Sequence, residues 1–179
     1  MTAKLKEIAE SIRNMIDIYQ TREKWGAAKP QNAGRHHTPY RITIHHTATP
    51  NNDSISMPAR MRQMQDWHMR GNGWADIGYH WCIGQDGVVY EGRPGHVIGA
   101  HVGNDNTGNI GIAVIGSFDN AEPPEKMLKM LLRLLRAVCK LYNIKPSNIR
   151  GHRDYHKKNT CPGQKLYNKI PEIIKELSE

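Results

Sequence analysis

The stretch IGIAVIGS, residues 110–117, is apolar on both faces of an extended chain. A short apolar run of this kind is typical of a central strand in a sheet that is covered on both sides. The pair Pro123–Pro124 follows and opens a helix predicted over about 125–142, with apolar side chains at three- and four-residue steps. A buried strand followed by a long amphipathic helix indicates the α/β class.

The segments on either side of this strand and helix extend the same pattern. RITIHH (41–46) is a second apolar strand, and YHWCIG (79–84) with GVVYEG (87–92) predicts a hairpin. Further helices are predicted over 3–19, 56–70 and 163–177. The sequence therefore predicts one α/β domain, in which a central mixed sheet is flanked by helices and an extra helix lies at the N-terminus.

Length and charge limit the classes of function. A chain of 179 residues is the usual size of one domain, and no apolar run is long enough to span a bilayer. The N-terminus has no apolar stretch of signal-peptide type, so we expect synthesis in the cytoplasm and another route to any target outside. The net charge of +8 favours polyanions such as nucleic acid, anionic lipid or an acidic cell wall. Nucleic acid is not expected, because its binding motifs are missing from the sequence.

A basic stripe follows the predicted helix 125–142 at the same period as its apolar face. It consists of Lys126, Lys129, Arg133, Arg136 and Lys140. Two interpretations are open: a solvated outer face, which is the commoner case, or a contact with the wall or a membrane surface.

Three residues are candidate metal ligands: His45 at the end of a strand, and His152 with Cys161 in the segment 151–163. Zinc favours imidazole and thiolate ligands, and a catalytic site keeps three protein ligands and an open fourth position. The spacing of His152 and Cys161 is not a standard structural-zinc spacing, so a core histidine and an inert cysteine stay open as alternatives. Cys82 and Cys139 are predicted to be inert core residues.

Six stretches in order resemble the type-2 amidase family, the zinc N-acetylmuramoyl-L-alanine amidases that include peptidoglycan recognition proteins and phage lysozymes. They are TREKWGA (21–27), ITIHHTAT (42–49), GWADIGYHW (73–81), GVVYEGR (87–93), GAHVGNDNTGNIGIAVIG (99–116) and GHRDYHKKNTCPG (151–163). The resemblance covers roughly residues 21–175. It implies a zinc amidase catalytic domain over 21–179, preceded by a helical segment over 1–20.

Carried over position by position, the resemblance implies the roles of nine residues. The zinc ligands would be His45, His152 and Cys161, and Tyr79 would lie beside the attacking water. The substrate contacts would be His46, His68, Trp74, His101 and Asn106, with His46 on the opposite face of its strand from His45. Phage relatives place a lysine two residues before the cysteine ligand, where this chain has Asn159, so Lys158 is our candidate for the proton donor.

The resemblance also implies a function. The reaction would be hydrolysis, with Zn²⁺, of the amide between N-acetylmuramic acid and L-alanine in peptidoglycan. A phage or prophage endolysin released through a holin is the first expectation, and a host recycling or autolytic enzyme is the second. Besides peptidoglycan, anionic cell-wall polymers are candidate partners. The alternative is a recognition module that binds peptidoglycan without cutting it; several relatives do so after losing the cysteine ligand, which this chain keeps as Cys161.

Overall fold

A computed structural model describes the backbone of residues 3–179 and the side chains of residues 7 and 10–179. The first two residues of the predicted 1–20 segment lie outside this part of the chain, as do the side chains of Leu5 and Ile8. Among residues 3–179, no helix combines the length and the apolarity needed to cross a bilayer.

The strands form one mixed sheet in the order β1-β4-β3-β5-β2-β6. The strands are β1 (Tyr19–Gln20), β2 (Arg41–His46), β3 (Trp81–Ile83), β4 (Val89–Glu91), β5 (Asn109–Val114) and β6 (Ile149–Gly151). Only β3 and β4, the predicted hairpin, pair antiparallel within this sheet; the other neighbours are parallel. The expected α/β architecture with a central mixed sheet is therefore confirmed.

Helices cover both faces of the sheet. They are α1 (Ala3–Met15), α2 (Arg22–Trp25), α3 (Met57–Asp66), α4 (Glu125–Tyr142), α5 (Gln164–Tyr167) and α6 (Ile170–Ser178). A π-helical turn, Trp67–Gly71, continues α3. The larger core cluster lies between the sheet and α1, α4 and α6, and the smaller one lies under α2 and α3.

The central strand β5 is asymmetric across its two faces. Ile110, Ile112 and Val114 belong to the larger core cluster, whereas Gly111 and Ala113 face the other way because side chains alternate along a strand. A Cβ atom added to Gly111 would lie 2.6 Å from Cγ of His101. The small residues of β5 therefore leave room for imidazole rings on the face that α3 covers.

Two helices differ from the ranges that their periodicity predicts: one ends early and the other is divided. The N-terminal helix stops at Met15, and Tyr19–Gln20 instead pair in parallel with Val89–Tyr90, because the sheet edge offers their backbone hydrogen-bond partners. The C-terminal helix, predicted as one piece, is divided between Tyr167 and Ile170; Pro171 lacks an N–H and begins the second piece.

Candidate metal centre

His45, His152 and Cys161 come together at one end of the sheet. His45 lies in β2 and His152 directly follows β6, and these strands are parallel neighbours in which Ile44 pairs with Gly151. The two imidazole centroids are 4.6 Å apart. One donor atom from each of the three residues lies within 4.8 Å of the other two.

The loop from His152 to Cys161 is closed by hydrogen bonds that bring its two ends together. The N–H of Arg153 donates to the carbonyl of Cys161 at 2.9 Å. The side-chain oxygen of Asn159 accepts from the N–H of Cys161 at 2.8 Å, and its amide nitrogen lies 3.2 Å from Nδ1 of His152. Asn159 therefore contacts both ligand candidates of the loop, a role that the sequence did not reveal.

The donor set fits zinc. Zn–N bonds of about 2.0–2.1 Å and a Zn–S bond of about 2.3 Å at a tetrahedral angle separate nitrogen from sulfur by about 3.6 Å. Nδ1 of His45 lies 3.6 Å from Sγ of Cys161. Two imidazoles and one thiol also match the three-ligand composition of catalytic zinc sites. These residues would hold the ion.

Burial sets the protonation states of the three groups. It lowers the pKa of His45 well below its ordinary value and that of His152 to about 4, so both imidazoles are neutral at pH 7 and have a lone pair to offer a metal. Burial raises the pKa of the Cys161 thiol to about 12. The thiol therefore keeps its proton until a cation replaces it, and metal binding should release that proton.

Tyr79, His68 and Trp74 form a wall beside His45. The ring of Tyr79 lies 5.2 Å from that of His45 and 5.6 Å from that of His68, which in turn lies 4.8 Å from Trp74. Burial raises the pKa of the Tyr79 phenol, so it stays protonated and can donate a hydrogen bond. Burial also lowers the pKa of His68 to about 4, and its Nδ1 accepts the N–H of Gly78 at 3.1 Å.

Three other residues that were predicted to contact substrate make hydrogen bonds within the protein itself. His46 lies on the opposite face of β2 from His45, and its Nδ1 accepts the N–H of Phe118 at 3.2 Å. His101 is only 7 % exposed and hydrogen-bonds to His45. Asn106 accepts the backbone N–H groups of His101 and Val102 at 2.8 and 2.9 Å.

Lys158 is exposed in the loop between His152 and Cys161. No contact joins its amine to the three ligand candidates within the described part of the chain. Another ionisable side chain of this loop, His156, has its ring 5.7 Å from that of His152.

The family described as N-acetylmuramoyl-L-alanine amidase (Amidase_2) matches residues 35–164 of the chain. The chain belongs to this family. Peptidoglycan recognition protein 1 of Bos indicus is 35% identical over 151 residues, which are 82% of this chain and 79% of that protein.

The solved structures with the same fold include both peptidoglycan recognition proteins and amidases. Peptidoglycan recognition protein-LE in complex with tracheal cytotoxin, a monomeric diaminopimelic acid-type peptidoglycan, aligns with a TM-score of 0.79 and 30% identity over 88% of this chain and 94% of that chain. The amidase LysC of Clostridium intestinale gives 0.72 and 28%, over 84% and 93% of the two chains. The endolysin amidase LysCS of the same organism gives 0.74 and 25%, over 89% and 97%.

Proposed function

We propose that the protein is a zinc-dependent N-acetylmuramoyl-L-alanine amidase that hydrolyses the bond between N-acetylmuramic acid and L-alanine in peptidoglycan. The observation that carries the proposal is the complete cluster of His45, His152 and Cys161, with Tyr79 beside it. A site that only recognises a ligand does not need the nitrogen–sulfur geometry of a catalytic zinc centre. Membership of the amidase family supports the substrate class.

The chemistry would be divided between the ion and the residues around it. Bound zinc supplies Lewis acidity, which activates water and polarises the amide carbonyl at neutral pH. The protonated phenol of Tyr79 would donate a hydrogen bond to the carbonyl oxygen as negative charge develops on it. The departing alanine nitrogen needs a proton, and we assign its delivery to Lys158, in the loop that joins His152 to Cys161.

The remaining side chains of the wall would position the glycan and the stem peptide. His68 is neutral and its Nδ1 is already bonded, so its ring would present Nε2 to a substrate group next to Tyr79. Trp74 packs against the ring of His68 and would give the stem peptide an apolar surface. Zinc would thus lie beside a wall of aromatic side chains.

An endolysin is the biological role that we favour. The support is the similarity to LysCS, a clostridial endolysin amidase. The structural alignment covers nearly the whole of the LysCS chain. In this role the enzyme would reach the wall through a holin pore. A host autolysin or recycling enzyme would use the same chemistry, and the test of activity below applies to both.

The alternative function is recognition of peptidoglycan without cleavage. The relative from Bos indicus is named a peptidoglycan recognition protein. The presence of Cys161 disfavours this alternative, because the thiol completes the ligand set.

The test is digestion of purified sacculi by the zinc-loaded protein, followed by assay of both kinds of new end. Amidase activity releases alanine amino termini without new reducing sugar ends, and a chelator should abolish the release until zinc is restored. Cys161→Ser should be inactive, whereas Cys139→Ser, on α4 and outside the ligand cluster, should keep the activity. Binding to sacculi without new amino termini in zinc-replete protein would establish recognition instead.

A further inference from the structure

We propose that His101 is a positioning residue that fixes His45 in one tautomer, with Nε2 protonated and the lone pair of Nδ1 directed at the metal site. This inference rests on the proposed zinc site, and it gives His101 a role other than contact with substrate. It follows from a hydrogen-bonded series of three groups behind the ligand: the carbonyl of Asn109, the ring of His101 and the ring of His45.

The direction of each hydrogen bond in the series is determined by its last acceptor. Nε2 of His101 lies 3.2 Å from the carbonyl oxygen of Asn109, and a carbonyl can only accept, so this nitrogen bears the proton. Nδ1 of the same neutral ring then has a lone pair. It lies 3.1 Å from Nε2 of His45, which must therefore be the donor. The remaining nitrogen of His45, Nδ1, is left unprotonated.

That unprotonated nitrogen is the one that faces the other ligands. Nδ1 of His45 lies 3.6 Å from Sγ of Cys161. Metal-binding histidines commonly donate their second N–H to a neighbouring acceptor, which fixes the tautomer and the orientation of the ring. Here the acceptor is an imidazole instead of the more usual carboxylate or carbonyl, and its own orientation is anchored by the backbone of β5.

The fold holds the ring of His101 in a narrow slot. Added Cβ atoms at Gly99 and at Gly111 would each lie 2.6 Å from an atom of this ring, so glycine is needed at both positions. The backbone N–H of His101 donates to the side chain of Asn106. The ring of His80 also lies close, with its centroid 5.6 Å away. Because the slot permits little movement, the acceptor presented to His45 is fixed before any metal binds.

Two substitutions separate this role from simple packing. His101→Asn keeps an acceptor oxygen close to the position of Nδ1, whereas His101→Gln places its amide near Nε2 and leaves His45 without an acceptor. We expect His101→Gln to weaken zinc binding about 10- to 100-fold, the usual cost of losing such a partner, and His101→Asn to recover most of the affinity. The measurement is competition for zinc with a chromophoric chelator, together with the visible spectrum of the cobalt-substituted proteins.

His37→Gln is the matched control. His37 also bridges two backbone groups, accepting from the N–H of Gly108 and lying 3.1 Å from the carbonyl of Gly95, but it contacts none of the three ligand candidates. It should lose fold stability as His101→Gln does and keep its zinc affinity. Equal zinc affinity of wild type and His101→Gln would overturn the proposal. The proposal would also be overturned if the Asn and Gln variants lost zinc affinity equally, in proportion to their loss of thermal stability.

The unsubstituted protein gives an independent test if a variant fails to fold. Nitrogen NMR of the metal-free protein should show His45 as the Nε2–H tautomer, and an Nδ1–H tautomer would overturn the proposal. Failure of the proposed function is distinguishable, because wild-type protein that binds zinc but cuts no peptidoglycan would contradict only the catalytic role.

Discussion

At the scale of single residues, the ligand candidates differ in how the protein holds them. His45 is 1 % exposed and is fixed by β2 and by His101. His152 and Cys161 lie on a loop, and their positions depend on Asn159 and on the backbone bond from Arg153. We therefore expect His45 to keep its place in the metal-free protein, and the loop residues to depend more on the ion.

Tyr79→Phe tests the proposed hydrogen bond to the developing oxyanion. The variant keeps the ring that packs against His45 and His68 but loses the hydroxyl. We expect zinc stoichiometry to be unchanged and kcat to fall about 10²- to 10³-fold, the usual cost of one oxyanion donor. Steady-state kinetics with metal analysis checks both quantities. An unchanged kcat would mean that another group stabilises the oxyanion.

Lys158→Ala tests the proposed proton donor, and Lys157→Ala is its matched control on the adjacent exposed position. Loss of a general acid lowers kcat by about 10²- to 10⁴-fold, whereas loss of an exposed lysine without a role should change it little. The measurement is the initial rate of alanine amino-terminus release. Equal rates for the two variants would contradict the assignment and would direct attention to His156, the imidazole beside His152.

At the scale of elements, the N-terminal helix α1 is part of the main core. Ile12 of α1 and Ile16, just after its end, are buried in the same cluster as Leu131 and Leu134 of α4. Tyr19, just beyond the helix, accepts a hydrogen bond from the indole of Trp81 at 3.1 Å. Residues 12–19 therefore pack on the fold that carries the metal centre, although the resemblance to the family begins only after them.

Ile12→Ala measures what this packing contributes. Ile12 is fully buried, and removal of a buried isoleucine side chain to alanine costs about 2–5 kcal/mol of unfolding free energy. Ile18→Ala, at a position that is 49 % exposed, should cost well under that amount. Chemical denaturation of both variants gives the two values. Equal and small effects would show that α1 contributes little to the stability of the domain.

Element by element, the sequence predicted most of the fold, and the three candidate ligands that it indicated lie close together. The exceptions have physical causes. Apolar periodicity predicted α4 and β2 over the residues that the structure shows. It could not predict that Tyr19 would leave the helical pattern, because the partner strand β4 lies about 70 residues away along the chain. Likewise, the role of Asn159 depends on loop hydrogen bonds to His152 and Cys161 that have no periodic signal.

At the scale of the whole molecule, nearby carboxylates partly balance the positive charge of the basic stripe on α4. On the α4 stripe, Lys129 pairs with Glu125 at 2.7 Å, Arg133 with Asp17 at 3.0 Å, and Arg136 with a carboxylate of α6. These exposed pairs contribute little stability, but they reduce the local field. They favour the interpretation of the stripe as a solvated outer face.

Buried neutral histidines should make the stability of the metal-free protein depend on pH. Burial lowers the pKa of His68 to about 4 and that of His101 to about 3, both below the ordinary value of about 6.5. The unfolded chain then binds more protons than the folded one, so stability is complete above about pH 6.5 and is lost as the pH falls towards 4. Urea denaturation at successive pH values measures this slope. A flat profile between pH 6.5 and 4 would show that these rings are not held neutral.

The measurement that tests the central claim most directly is mass spectrometry of a defined muramyl peptide after incubation with zinc-loaded protein in isotopically labelled water. We predict two products, an intact muramic acid sugar that carries one labelled oxygen in its lactyl carboxylate and a free peptide with an alanine amino terminus. Cys161→Ser should yield neither product. Recovery of the intact substrate from zinc-replete wild-type protein that binds it would contradict the account and would leave a recognition protein with a metal site.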